Sequence, residues 1–166
     1  KPLVVILVGE IIWILATFLS VYFRGTPAAI DWAVLRFPGV DLVVIGFVFL
    51  TLEYTGYDEY ITPRALAALL IKPVLTMGVV WFNTPLMWKI GERSMETMRG
   101  YVIEPGPAFI AHTAYSYILL TVGTFMIARL AYKSKRLYRR QSAAFVGAIS
   151  ASWIANILHV SGVFRV

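Results

Sequence analysis

Residues 3–23 read LVVILVGEIIWILATFLSVYF. Only Gly9, Glu10, Thr17, Ser20 and Tyr22 interrupt an otherwise apolar run. As a helix at ~1.5 Å per residue it spans ~31 Å, which matches a hydrocarbon core of ~30 Å. The apolar residues are continuous rather than alternating, so the run does not read as a barrel strand. Arg24-Gly25-Thr26-Pro27 ends it. A helix satisfies its own backbone hydrogen bonds and can face lipid on all sides.

Four more segments of this kind follow. The second runs from about Asp31 to Tyr54, and Arg36, Pro38-Gly39 and Asp41 interrupt its first half. Pro38 removes a backbone donor, which predicts a kink. Thr55-Gly56-Tyr57-Asp58-Glu59 is a polar turn, and Thr62-Pro63 reads as the N-cap and first residue of a third helix. That helix, about 63–82, carries Lys72-Pro73 mid-span and stops at Asn83-Thr84-Pro85. Leu86 to Gly106 reads as a mixed loop, with Trp88 and Tyr101 suited to the headgroup level. The fourth helix is about 107–131 and the fifth about 142–163. The fifth has Ala143, Gly147, Ala151 and Ala155 at four-residue spacing, which suits close packing inside the bundle or against a second copy. The expectation is an all-α fold: one polytopic transmembrane helical bundle over residues 1–166, with about five spanning helices.

Composition agrees. Hydrophobic residues make up 59% of the 166 and charged residues 14%, against ~45–50% and ~25% in soluble domains. The net charge of +6 comes from 15 Lys and Arg against 9 Asp and Glu. Five of those basic residues, Lys133, Lys135, Arg136, Arg139 and Arg140, crowd into 132–141 with no acid among them. Membrane topology explains such a cluster better than nucleic acid does, so the partner read from charge is the lipid bilayer. The positive-inside rule places this loop in the cytoplasm of a multi-pass plasma-membrane protein. The 24–30 and 83–106 loops then lie outside. There is no cysteine. The chain opens on Lys1-Pro2 rather than Met, as a processed or partial chain would.

No motif of soluble catalysis is present: no P-loop, G-x-S-x-G, H-E-x-x-H or cysteine cluster. No cofactor is indicated, and no rhodopsin-like pattern surrounds Lys72. His112 and His159 lie on different helices, where hydrogen bonding is the ordinary role and a metal pair the rarer one. Glu10, Asp41 and Lys72 lie deep within spans, where each charge costs about 2.5–3.5 kcal/mol on insertion scales. They read as a structural ion pair or as a functional cluster. Counting from the inner ends of their helices, Lys72 is ~12 Å deep, Glu10 ~10 Å and Asp41 ~20 Å. Those depths predict a Lys72–Glu10 pair between the first and third helices.

Three stretches together carry a resemblance. Phe49-x-x-x-Glu53-Tyr54-Thr55-Gly56 leads to Trp81-Phe82-Asn83-Thr84-Pro85. Gly106-Pro107-Ala108-Phe109-x-x-His112-x-x-Tyr115-Ser116-Tyr117 follows. Leu137-Tyr138-Arg139-Arg140-Gln141 then precedes a helix containing Asn156. In order and spacing, from roughly Trp13 to Val160, this resembles the seven-helix N-terminal sensor region of membrane histidine kinases, frequent in archaea. The resemblance implies that 3–23 is the family's second helix and that its first and last helices lie outside this chain. It also implies signalling to cytoplasmic PAS, kinase or cyclase modules. Two departures stand out: Leu86-Met87-Trp88 follows the Asn-Pro turn where the family often has histidine, and Ser152-Trp153 stands where it tends to have proline.

The function so read is a non-catalytic transmembrane sensor or signal-input domain. The alternative is an accessory subunit of a larger membrane assembly, with other membrane subunits or further copies as partners. The candidate ligand pocket is His112, Tyr115, Ser116, Tyr117, Trp153 and Asn156, with His112 and Asn156 pointing into the bundle. The stimulus is not legible.

Overall fold

The computed structural model describes residues 1–24, 26, 28–82, 84–90, 103–133, and 143, 144, 146, 147, 151, 154 and 158. Helix α1 runs Pro2–Tyr22, α2 Ala28–Val34, α3 Arg36–Thr55, α4 Pro63–Phe82, α5 Thr84–Met87 and α6 Pro107–Lys133. A 3-10 turn, Asp58–Tyr60, lies between α3 and α4. Four spans are long and apolar enough to cross a membrane: α1, the α2–α3 unit over Ala28–Thr55, α4 and α6. The protein is therefore a helical membrane bundle. Ala143, Ala144, Val146, Gly147, Ala151, Ile154 and Leu158 are also helical. The remainder of 142–163, including Ala155, lies outside the described residues.

Local chemistry sets the breaks. Between α2 and α3 the helix is interrupted at Leu35, three residues before Pro38, whose missing N–H leaves the Val34 carbonyl without its helical donor. Arg36 Nε donates to the neighbouring Ala33 carbonyl at 3.2 Å. Gly56 ends α3 in the left-handed region at φ 77°, where a side chain would be strained. Thr62 Oγ1 accepts from Ala65 N at 3.1 Å and so caps α4.

The 86–106 stretch departs from a plain loop. Trp88–Ile90 and Ile103–Pro105 pair as a short antiparallel ladder with Lys89 opposite Glu104, strands β1 and β2. Gly106 N then donates to Met87 O at 2.9 Å. A Cβ at Gly106 would run into the Leu86 carbonyl, so only glycine allows α6 to start there.

Helix α3 is the centre. Packing against α1 goes through glycines: a Cβ on Gly9 would lie 2.8 Å from Gly39 O, and one on Gly39 2.7 Å from Trp13 N. Small residues let two backbones approach this closely, which drives helix association in lipid. On α3's other side, a Cβ on Gly123 of α6 would meet the Phe47 ring at 2.6 Å. At one end Ala33, Phe37, Val80 and Met87 form an apolar cluster, with Met77 and Phe109 packed on it. Leucines, isoleucines and aromatics cover the outside; Phe125 of α6 is 68% exposed.

Candidate functional site

Asp41 of α3, Lys72 of α4 and His112 of α6 meet inside the bundle. Asp41 and His112 are buried, and the Lys72 side chain is 18% exposed. Lys72 Nζ donates to Asp41 Oδ1 at 2.6 Å and lies 2.5 Å from His112 Nδ1. An ammonium has donors and no acceptor, so with Lys72 charged, Nδ1 accepts and the ring proton sits on Nε2. His112 Nδ1 stands 3.9 Å from Asp41 Oδ1, too far for a direct hydrogen bond. The Lys72 ammonium also lies 5.0 Å from the centroid of the Tyr115 ring, within cation–π range.

Two prolines shape this place. Pro73 lies inside α4 and cannot donate to the carbonyl four residues back, that of Leu69. The Tyr115 hydroxyl donates to that Leu69 carbonyl at 3.2 Å. One tyrosine thus repairs the Lys72-Pro73 defect and covers the lysine with its ring. Pro38 breaks the second span one turn before Asp41. The Phe37 ring stands edge-on to His112 at 5.0 Å and edge-on to Phe109 at 6.5 Å. Apolar packing against the polar groups excludes water and strengthens their electrostatics. Asp41 Oδ2 is buried with no hydrogen-bond partner among the described residues.

The expected Lys72–Glu10 pair is corrected: the partner is Asp41, and Glu10 is exposed on α1. Counting depth from helix ends assumed that those ends lie flush. They do not. Pro2 O of α1 would lie 3.3 Å from a Cβ on Gly46, and α3 runs on to Thr55, nine residues or ~14 Å further. Glu10 is thereby raised to the level of Gly39–Val43, beside Asp41 in depth, while Lys72 reaches Asp41 from α3's other side. The four-carbon stem of Lys72 closes roughly 6 Å of the height difference.

The structure brings two of the six pocket residues, His112 and Tyr115, to Lys72. Ser116 is buried, but its hydroxyl donates to His112 O at 2.9 Å, within its own helix. Tyr117 is half-buried and points roughly 200° around α6 from Tyr115. Trp153, Asn156 and His159 lie outside the described residues. Among the described residues, no three or more His, Cys, Asp or Glu side chains gather in a way that could hold a metal ion. Sequence reasoning had named Asp41 as deep but left it unpartnered. The available signal was Lys-Pro in one helix and a tyrosine three residues after a histidine in another.

Compared with known proteins, the whole chain, residues 1–166, matches the family model described as the N-terminal 7TM region of histidine kinase. No curated protein and no solved structure matches.

Proposed function

The chain belongs to the family of the N-terminal 7TM region of histidine kinase, and on that premise we propose that it is a non-catalytic signal-input domain whose Asp41–Lys72–His112 junction is the part that responds. Family membership makes the chain a sensor-type transmembrane domain. The observation that carries the finer reading is one ammonium shared by acceptors from two other helices. Ionisable groups within spans mark functional sites by default. The open acceptor Asp41 Oδ2 gives the junction a second arrangement, because the Lys72 ammonium can move to it without leaving the carboxylate. Exchange between two such arrangements would shift α4 and α6 relative to α3, which is how a local change becomes a helix displacement. In this reading the 132–141 loop that follows α6 is cytoplasmic, and signals leave the bundle on that side.

The experiment joins the chain to a cytoplasmic kinase reporter in membranes and replaces the junction residues. Lys72→Met and Asp41→Asn should each fix the output at one level, regardless of stimulus, in protein that inserts and folds. If both variants fold and respond like the parent, the junction is structural and the reading fails.

A further inference from the structure

Asp41 Oδ2 is a carboxylate oxygen with no hydrogen-bond partner among the described residues, on a side chain only 4% exposed. Inside a membrane such an oxygen is costly to leave bare. The donors around it are already engaged. Lys72 Nζ holds Asp41 Oδ1 and His112 Nδ1. The Tyr115 hydroxyl donates to the Leu69 carbonyl, and the Ser116 hydroxyl to the His112 carbonyl. The proton on His112 Nε2 likewise meets no acceptor among the described residues. The junction therefore keeps one open acceptor on α3 and one open donor on α6.

We propose that these two groups bind a lipid-soluble phenol of the hydroquinone class. Its hydroxyl donates to Asp41 Oδ2, and an oxygen of the same head group accepts from His112 Nε2–H. Electrostatics narrow the class. A cation at Oδ2 would stand against the Lys72 ammonium on the same carboxylate, and an anion would face the carboxylate itself, so the occupant is neutral. Depth narrows it further. Lys72 lies mid-span with its side chain 18% exposed, so entry is from the hydrocarbon. Rings surround the place: Phe37 stands edge-on to His112 at 5.0 Å, and the Tyr115 ring centroid is 5.0 Å from Lys72 Nζ. An aromatic head packs favourably among such rings, and a phenol O–H is a stronger donor to a carboxylate than that of an alcohol. Once oxidised to a quinone, the molecule has carbonyls only and turns a lone pair toward Oδ2, where a donor is needed. The site thus separates the reduced form from the oxidised one. This deepens, and rests on, the reading of the junction as the responsive part: a hydroquinone at Oδ2 keeps Lys72 on Oδ1, and its departure frees Oδ2 for Lys72.

The test uses the full chain in nanodiscs and reads its melting temperature. The probes are decylhydroquinone kept reduced, decylquinone, and the dimethyl ether of decylhydroquinone. The hydroquinone should raise the melting temperature by a few degrees, saturably, and the other two should not. In Asp41→Leu with Lys72→Met, where neither buried charge remains, the shift should vanish. A second readout needs no variant: in difference infrared spectra the hydroquinone alone should move a carboxylate stretching band. Equal stabilisation by all three probes, none by the hydroquinone, a shift that survives in the double variant, or an unmoved carboxylate band overturns the proposal. Binding is read without the kinase reporter. Absent binding with the reporter still fixed by Lys72→Met therefore sinks this inference alone, and binding with a reporter indifferent to the junction sinks the signalling reading alone.

Discussion

Lys72 shows how a buried charge binds a membrane protein to one arrangement. Removing Asp41 alone leaves an uncompensated ammonium inside the bundle. Asp41→Asn should therefore lower stability by ~3–5 kcal/mol, read as a fall in melting temperature in detergent or nanodiscs. Replacing both partners with apolar residues, Asp41→Leu with Lys72→Met, should recover most of that loss, because neither desolvated charge remains. A double-mutant cycle between Asp41 and Lys72 should show strong coupling, and one between Glu10 and Lys72 coupling within ~0.5 kcal/mol of zero. Substantial Glu10–Lys72 coupling would contradict the geometry. Tyr115 separates its two roles. Tyr115→Phe keeps the ring over the ammonium but orphans the Leu69 carbonyl beside Pro73, at a cost of about 1–3 kcal/mol. Tyr115→Leu should cost more, since the ring contact goes as well.

At the scale of the element, glycines decide which faces meet. A Cβ at Gly9 would lie 2.9 Å from Val43 N and 2.8 Å from Gly39 O, backbone atoms that cannot turn aside. Gly9→Ala should force α1 off α3 and destabilise the bundle by ~1–3 kcal/mol, as overpacking does. Gly78 on α4 has nothing within 4 Å of the same position. Gly78→Ala should be neutral or stabilise by up to ~1 kcal/mol, from the lower helix propensity of glycine. The contrast is read by thermal melts of the two variants; equal losses would mean that close packing is not what sets the α1–α3 contact.

For the molecule as a whole, the proposed orientation, with the 132–141 loop cytoplasmic, rests on the excess of basic residues in that loop. In the cysteine-free chain, Ser134→Cys should be shielded from a membrane-impermeant thiol reagent in intact cells, and Ser94→Cys should react. The reverse pattern would invert the topology, and with it the side to which α6 delivers a signal.

What the sequence determined by itself was solvent and fold class. A run such as 3–23 has no stable place in water, and helix rise sets its length against the bilayer whatever its neighbours do. Local devices were legible for the same reason. Pro38 breaks a span and Thr62-Pro63 opens one, because caps and missing donors act within one turn. The tertiary structure alone decided which polar groups meet. Depth along a helix can be counted, but the offset between helix ends and the rotation about each axis are set by packing, here by Gly9, Gly39 and Gly46 on one side of α3 and Gly123 on the other. That packing turned Glu10 outward, and it gave Lys72 to Asp41 and His112.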